Sequence, residues 1–132
     1  MTDDITDNQS PRGTVLVVDD LGEVREVIKR MLERAGYTVL TAVNGLDGAE
    51  EFCRHEREID VVLLDLVMPE LDGVEALRVI RGVYEEVRVI LITGFPEHVA
   101  ADRWRELGFA GFLVKPFSAT KLIEVVETAL KV

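Results

Sequence analysis

Four apolar runs in this chain each stop on a polar residue: Val15-Leu16-Val17-Val18 on Asp19-Asp20, Val61-Val62-Leu63-Leu64 on Asp65, Val89-Ile90-Leu91-Ile92 on Thr93, and Phe112-Leu113-Val114 on Lys115. Continuous β-branched runs of this length read as strands buried on both faces, the mark of a parallel sheet covered by helices. Parallel strands all point one way, so their C-terminal ends share one edge. Residues far apart in sequence then meet in the crevice where open α/β sheets place their ligand sites. Here that edge gathers three carboxylates, one hydroxyl and one ammonium.

The chain has 132 residues, which suits one domain with its own core. Residues 1–13 are polar with a Pro and a Gly near the end, and read as a flexible leader; residues 14–132 form the folded unit. The formal net charge is −10, and the leader supplies little of it, with Asp3, Asp4 and Asp7 set against Arg12. So acidic a surface repels nucleic acid and anionic lipid, which leaves a protein as the expected macromolecular partner. No apolar stretch approaches the roughly 20 residues of a membrane span, and the amino terminus lacks the pattern of a signal peptide, so a cytoplasmic location is expected. The single cysteine, Cys53, excludes an internal disulfide and is read as a small half-buried hydrophobe on a helix.

Between the runs lie helical patterns. Val24, Val27, Ile28, Met31 and Leu32 fall at helical spacing within 23–35, with Gly36 as the stop. A weaker, more polar strand over 37–42 suits a sheet edge. Asn44 can cap a helix to about His55, and Asp72 with Glu75 resembles a capping box. A further helix is predicted over 97–107, with Trp104 partly in the core. The last is capped by Ser118, with Leu122, Val125, Val126, Ala129 and Leu130 as its buried stripe. His55 and His98 are read as solvated. Five strand-helix repeats with right-handed crossovers give a three-layer, doubly wound (βα)5 sandwich of strand order 2-1-3-4-5, whose switch point sets Asp19 and Asp20 beside Asp65.

Three carboxylates in one crevice repel one another and call for positive charge. Lys115 supplies one unit. A hard divalent cation supplies two, and oxygen-only ligands favour Mg²⁺ over zinc. A metal beside an aspartate, a hydroxyl and an ammonium is the set required for phosphoryl transfer onto a carboxylate. Taken singly, the members have plainer readings: Asp19 or Asp20 as a helix cap, Thr93 as the start of a turn, Lys115 as a solvated charge, and Phe112 as core.

The ordered set Val17-Val18-Asp19-Asp20, Leu63-Leu64-Asp65-Leu66-Val67-Met68-Pro69 with Leu71-Asp72-Gly73, Thr93-Gly94 and Lys115-Pro116-Phe117 resembles the receiver domain of bacterial two-component response regulators of the chemotaxis-regulator type, over about residues 14–132. The resemblance implies a flavodoxin-like fold and a phosphorylatable switch with Asp65 as phosphoacceptor. It further implies Mg²⁺ held by Asp20, Asp65 and the Val67 backbone carbonyl, with Asp19 an outer ligand through water. Thr93 would bond the phosphoryl group, Lys115 would pair with it, and Phe112 would stand at the aromatic switch position. A cis Lys115-Pro116 bond is also common in that family. The phosphodonor would be a sensor histidine kinase or a histidine phosphotransfer protein. The chain would be a stand-alone regulator, or a receiver from a larger regulator or hybrid kinase, catalysing only its own phosphorylation and dephosphorylation.

Other classes fit less well. A haloacid-dehalogenase-like phosphatase places a second aspartate where Val67 stands, and a flavin carrier needs a phosphate-binding loop where Asp19 and Asp20 stand. A scaffold with a dead receiver site would not need all of Asp19, Asp20, Asp65, Thr93 and Lys115. The departures from the receiver pattern are Leu21, where an acidic residue is common, and Phe112 in place of Tyr. Side chains two positions after the acceptor and after the threonine flank the hydrolytic water in receivers. Here they are Val67 and Phe95, both apolar, which implies slow loss of the phosphoryl group.

Overall fold

Alternate residues of the central strands feed two separate cores. Val15, Val17, Val61, Leu63, Ile90, Ile92 and Leu113 pack on one face of the sheet, and Leu16, Val18, Val62, Leu64, Val89 and Leu91 on the other. This double burial is why the runs carry no polar alternation. The computed structural model describes residues 12–55, 57–65 and 73–131. Its elements are β1 (Thr14–Val18), α1 (Gly22–Arg34), β2 (Thr38–Ala42), α2 (Gly45–Arg54), β3 (Val61–Asp65), α3 (Gly73–Val83), β4 (Arg88–Thr93), α4 (Glu97–Arg103), β5 (Gly111–Val114) and α5 (Ala119–Leu130). All pairings are parallel and the order is β2-β1-β3-β4-β5, as the polar character of β2 predicts.

On one face α1 and α5 bring Ile28, Leu32, Leu122, Val126 and Ala129 against the sheet; on the other, α2, α3 and α4 bring Phe52, Leu77, Ile80 and Ala100. Two predicted caps are in place. Asn44 accepts from the Asp47 N–H at 2.8 Å, and Ser118 accepts from the Lys121 N–H at 3.1 Å. Each satisfies a first-turn donor that the helix itself leaves unpaired. The pairing of Asp72 with Glu75 falls outside the described residues. Among these residues no helix is long and apolar enough to cross a membrane.

Three local readings need correction. Cys53 is exposed, because the buried stripe of α2 runs through Gly45, Gly48, Ala49 and Phe52 and the next residue is turned about 100° away. The helix predicted over 97–107 stops at Arg103, and residues Arg105–Leu107 tighten into a 3₁₀ turn ended by Gly108 at φ 67°. His55 is not simply solvated: its Nδ1 lies 3.0 Å from Glu58 Oε1 and its Nε2 3.6 Å from Glu51 Oε1. His98 is exposed, as expected.

The edge of the sheet opposite the strand C-termini is tied by Arg12. Its guanidinium donates to the Ala35 carbonyl at 3.1 Å, pairs with Glu127 and lies over the Tyr37 ring at 5.0 Å. Arg12 thereby joins the approach to β1 with the ends of α1 and α5. Burial pushes the Tyr37 hydroxyl pKa above its ordinary value, against the opposing pull of Arg12.

Helix α2 comes close to β1 at Gly48, where a Cβ would stand 2.8 and 3.0 Å from the two Val18 methyls. Alanine is favoured over glycine in a helix by up to about 1 kcal/mol, but overpacking a filled core costs about 1–3 kcal/mol. The clash wins, since Val18 is fully buried and cannot swing away. Gly48→Ala is therefore expected to lower the urea midpoint, and Gly48→Val to lower it further; an unchanged or raised midpoint would show that α2 can move off β1.

Candidate functional site

Register brings the polar stops together. Val18 pairs with Leu64, so Asp19 and Asp65 follow at the same level on neighbouring strands. Asp65 pairs with Ile92, which places Thr93 one step further on β4. Thr93 pairs with Val114, and the Lys115 N–H donates to the Thr93 carbonyl at 2.7 Å. The Lys115-Pro116 bond that follows is cis.

Carboxylate oxygens of Asp19, Asp20 and Asp65 lie within 4.8 Å of one another. Lys115 Nζ stands 3.7 Å from Asp19 Oδ2 and 3.7 Å from Asp65 Oδ2, bridging the two. Asp19 and Asp65 are buried, while Asp20 and Lys115 are half-buried. Asp19 Oδ1 accepts from the Leu21 N–H at 2.9 Å, which folds the loop back under the carboxylate. Asp19 Oδ2 is buried without a hydrogen bond, and 3.7 Å to the ammonium is an ion-pair separation beyond hydrogen-bond reach. A buried carboxylate oxygen left in that state, within a group of three carboxylates, is what a hard cation or its bound water would satisfy. The donor set fits Mg²⁺.

Neither aspartate is the N-cap of α1. That position is Leu21, which makes no side-chain cap, so the plain capping reading is set aside. Thr93 is buried, and its hydroxyl accepts from the Phe95 N–H at 3.0 Å. Phe112 is only partly buried and packs on the core under α2, α3 and α4, with its ring 6.0 Å from that of Phe109. Val67 lies outside the described residues. One contributor escapes the sequence reading: Arg25 donates from Nη1 to the Asp19 carbonyl at 2.7 Å, holding the loop that presents the acidic pair. The available signal was its place on the first turns of the helix directly after that pair.

A five-stranded parallel α/β fold with an acidic cluster, a hydroxyl and a lysine at its C-terminal edge defines the class of phosphoryl-accepting signalling domains. The family model for the response regulator receiver domain matches residues 15–127, and the chain belongs to that family. It is 33% identical to the chemotaxis protein CheY of Treponema pallidum, covering 99% of this chain and 94% of that protein. It is 36% identical to the sensor kinase CckA of Brucella abortus over 92% of this chain, which spans only 13% of that kinase. Among solved structures, the CheX-CheY-BeF3-Mg+2 complex from Borrelia burgdorferi superimposes with a TM-score of 0.83 at 26% identity, covering 92% of this chain and 91% of that one. The chain is thus a phosphorylatable response regulator receiver.

The geometry carries an electrostatic consequence. Unit charges about 4 Å apart interact by roughly 4 kcal/mol at the effective dielectric of a protein surface. Among the described residues, Asp65 meets two like charges and one opposite charge, a balance in which repulsion outweighs attraction without metal. Asp65→Asn is expected to raise the thermal midpoint in chelator, with the gain shrinking as salt is added. A lowered midpoint at every salt concentration would show that the Lys115 pair dominates.

Proposed function

We propose that Asp65 accepts a phosphoryl group from the phosphohistidine of a sensor histidine kinase or histidine phosphotransfer protein. The observation that carries this reading is the bridging of Asp19 and Asp65 by Lys115, 3.7 Å from each, within the three-carboxylate cluster. A carboxylate oxygen of Asp65 attacks phosphorus in line, a P–O bond forms as the P–N bond to the donor imidazole breaks, and the imidazole leaves and takes up a proton. Lys115 pairs with the phosphoryl oxygens, and the Thr93 hydroxyl donates to one of them. Asp20, Asp65 and the Val67 carbonyl would hold Mg²⁺, with Asp19 acting through water. When bound, the metal supplies the positive charge that lets a phosphoryl group enter an acidic crevice. An apolar groove lined by Val24, Val27, Met31, Pro116 and Phe117 adjoins Lys115 and offers the donor protein a surface beside the acceptor. The chain acts as a switch in the cytoplasm, its only reactions being the gain and loss of its own phosphoryl group, with Phe112 and Thr93 changing position between states.

Acetyl phosphate with Mg²⁺ is expected to add one phosphoryl group by intact mass, and Asp65→Asn to abolish the addition, since an amide is not a nucleophile here. Full labelling of that variant would remove Asp65 from the role. Mg²⁺ should raise the thermal midpoint of the wild type by mass action, and Asp20→Ala should lose that increment; equal Mg²⁺ stabilisation of both would remove Asp20 from the metal site.

Lifetime provides a separate check. Phe95 is 39% exposed at the end of β4, and an apolar side chain there cannot orient water for attack on the acyl phosphate. Phe95→Glu and Val67→Asn are each expected to hasten decay of the phosphorylated protein with Mg²⁺ present. Unchanged decay in both would mean that water access at these positions does not set the lifetime.

A further inference from the structure

The Thr93 hydroxyl is held from one side by the Phe95 N–H, and Phe95 is in turn held from outside the site. Its ring meets Trp104 edge-on, with centroids 5.9 Å apart and planes at 62°. The Arg103 guanidinium lies 5.4 Å from the centroid of each ring. At 39% exposure, Phe95 is not fixed by burial, so this stack anchors its ring. Trp104 is itself secured: its backbone N–H donates to the Ala100 carbonyl at 3.0 Å, and its side chain packs on the core under α2, α3 and α4.

We propose that Phe95, Trp104 and Arg103 form a positioning device for the Thr93 hydroxyl and carry its displacement to the C-terminal end of α4. The inference rests on the reading of Thr93 as the hydroxyl that binds the phosphoryl group. A hydroxyl has one proton and two lone pairs. Accepting from the Phe95 N–H occupies a lone pair and leaves the proton free to be donated to a phosphoryl oxygen on Asp65. If the oxygen is drawn toward that group, the loop N–H bonded to it follows, and the Phe95 ring must shift on Trp104 or pull it along. Gly94 leaves the loop room for this, since a Cβ there would meet nothing within 4 Å. Arg103 follows by stacking on both rings, where its charge is favoured over their faces.

Trp104 is the sole tryptophan of the chain, so its emission reads this one place. Beryllofluoride with Mg²⁺, as a phosphoryl mimic, is expected to change the emission of the wild type but not of Asp65→Asn. Phe95→Ala should lose most of that response while still taking a phosphoryl group from acetyl phosphate by intact mass, more slowly than the wild type and with an unchanged Mg²⁺ dependence. Phe95→Tyr, which keeps the ring, should restore both the response and the rate, and Arg103→Ala should diminish the response. A full response in Phe95→Ala overturns the proposal. So does a silent wild type that intact mass shows to be fully phosphorylated. A wild type that takes no phosphoryl group by mass overturns the assignment of Asp65 itself, and the positioning role falls with it.

Discussion

Hydrophobic burial bracketed by charge fixes the strands, and the site is a by-product of that bracketing. β3 shows it most plainly: four fully buried apolar positions run from Val61 to Leu64, followed by Asp65 and preceded by Asp60, which accepts from the Thr14 N–H at 2.8 Å. Sliding β3 by one residue would draw a carboxylate into one of the two cores or expose a fully buried aliphatic side chain. Burying an unpaired carboxylate costs several kcal/mol, and exposing a valine or leucine costs about 1.5–3 kcal/mol. The register that avoids both also ends β1, β3 and β4 within two residues of one another. The polar residues that terminate the strands are thereby delivered to the same crevice.

The assembled crevice is out of balance by itself. Three acidic groups face one ammonium, and Asp19 Oδ2 is buried without a hydrogen bond. Elsewhere the chain satisfies its polar groups closely, as at the Asn44 and Ser118 caps. Among the described residues the shortfall is confined to the edge where a cation and a phosphoryl group would enter, so local stability is given up where binding can restore it.

Much of this was legible because it depends on local pattern. The β-branched runs, the polar edge strand read over 37–42 and the caps at Asn44 and Ser118 all follow from residue type and spacing, and strand order followed from which strand was least apolar. What escaped depends on contacts between side chains distant in sequence or on helix phase. Cys53 looked like a small core residue, but its rotation past Phe52 on α2 turns it outward. Helical propensity through Leu107 concealed the break at Trp104, whose side chain is committed to the core and to Phe95. The Arg25 bond to the Asp19 carbonyl depends on how the β1–α1 loop turns, and no spacing rule encodes that. Val27, one of the apolar residues at helical spacing, is 47% exposed because Ile28 and Leu32 take the sheet-facing positions and leave Val27 on the rim of a groove.

The Arg12 tie has a geometric consequence for anything joined to this fold. Arg12 links the approach to β1 with Glu127 near the end of α5, and Leu130 approaches Gly13, so both ends of the folded unit leave from one corner. That corner lies at the foot of the sheet, about one strand length, or roughly 17 Å for five residues, below the acidic cluster. A covalent neighbour at either end would sit on the far side of the sheet from the chemistry. Any effect of a change at the cluster on such a neighbour would have to pass through the sheet and its helices, whereas a protein that meets the crevice directly needs no such transmission.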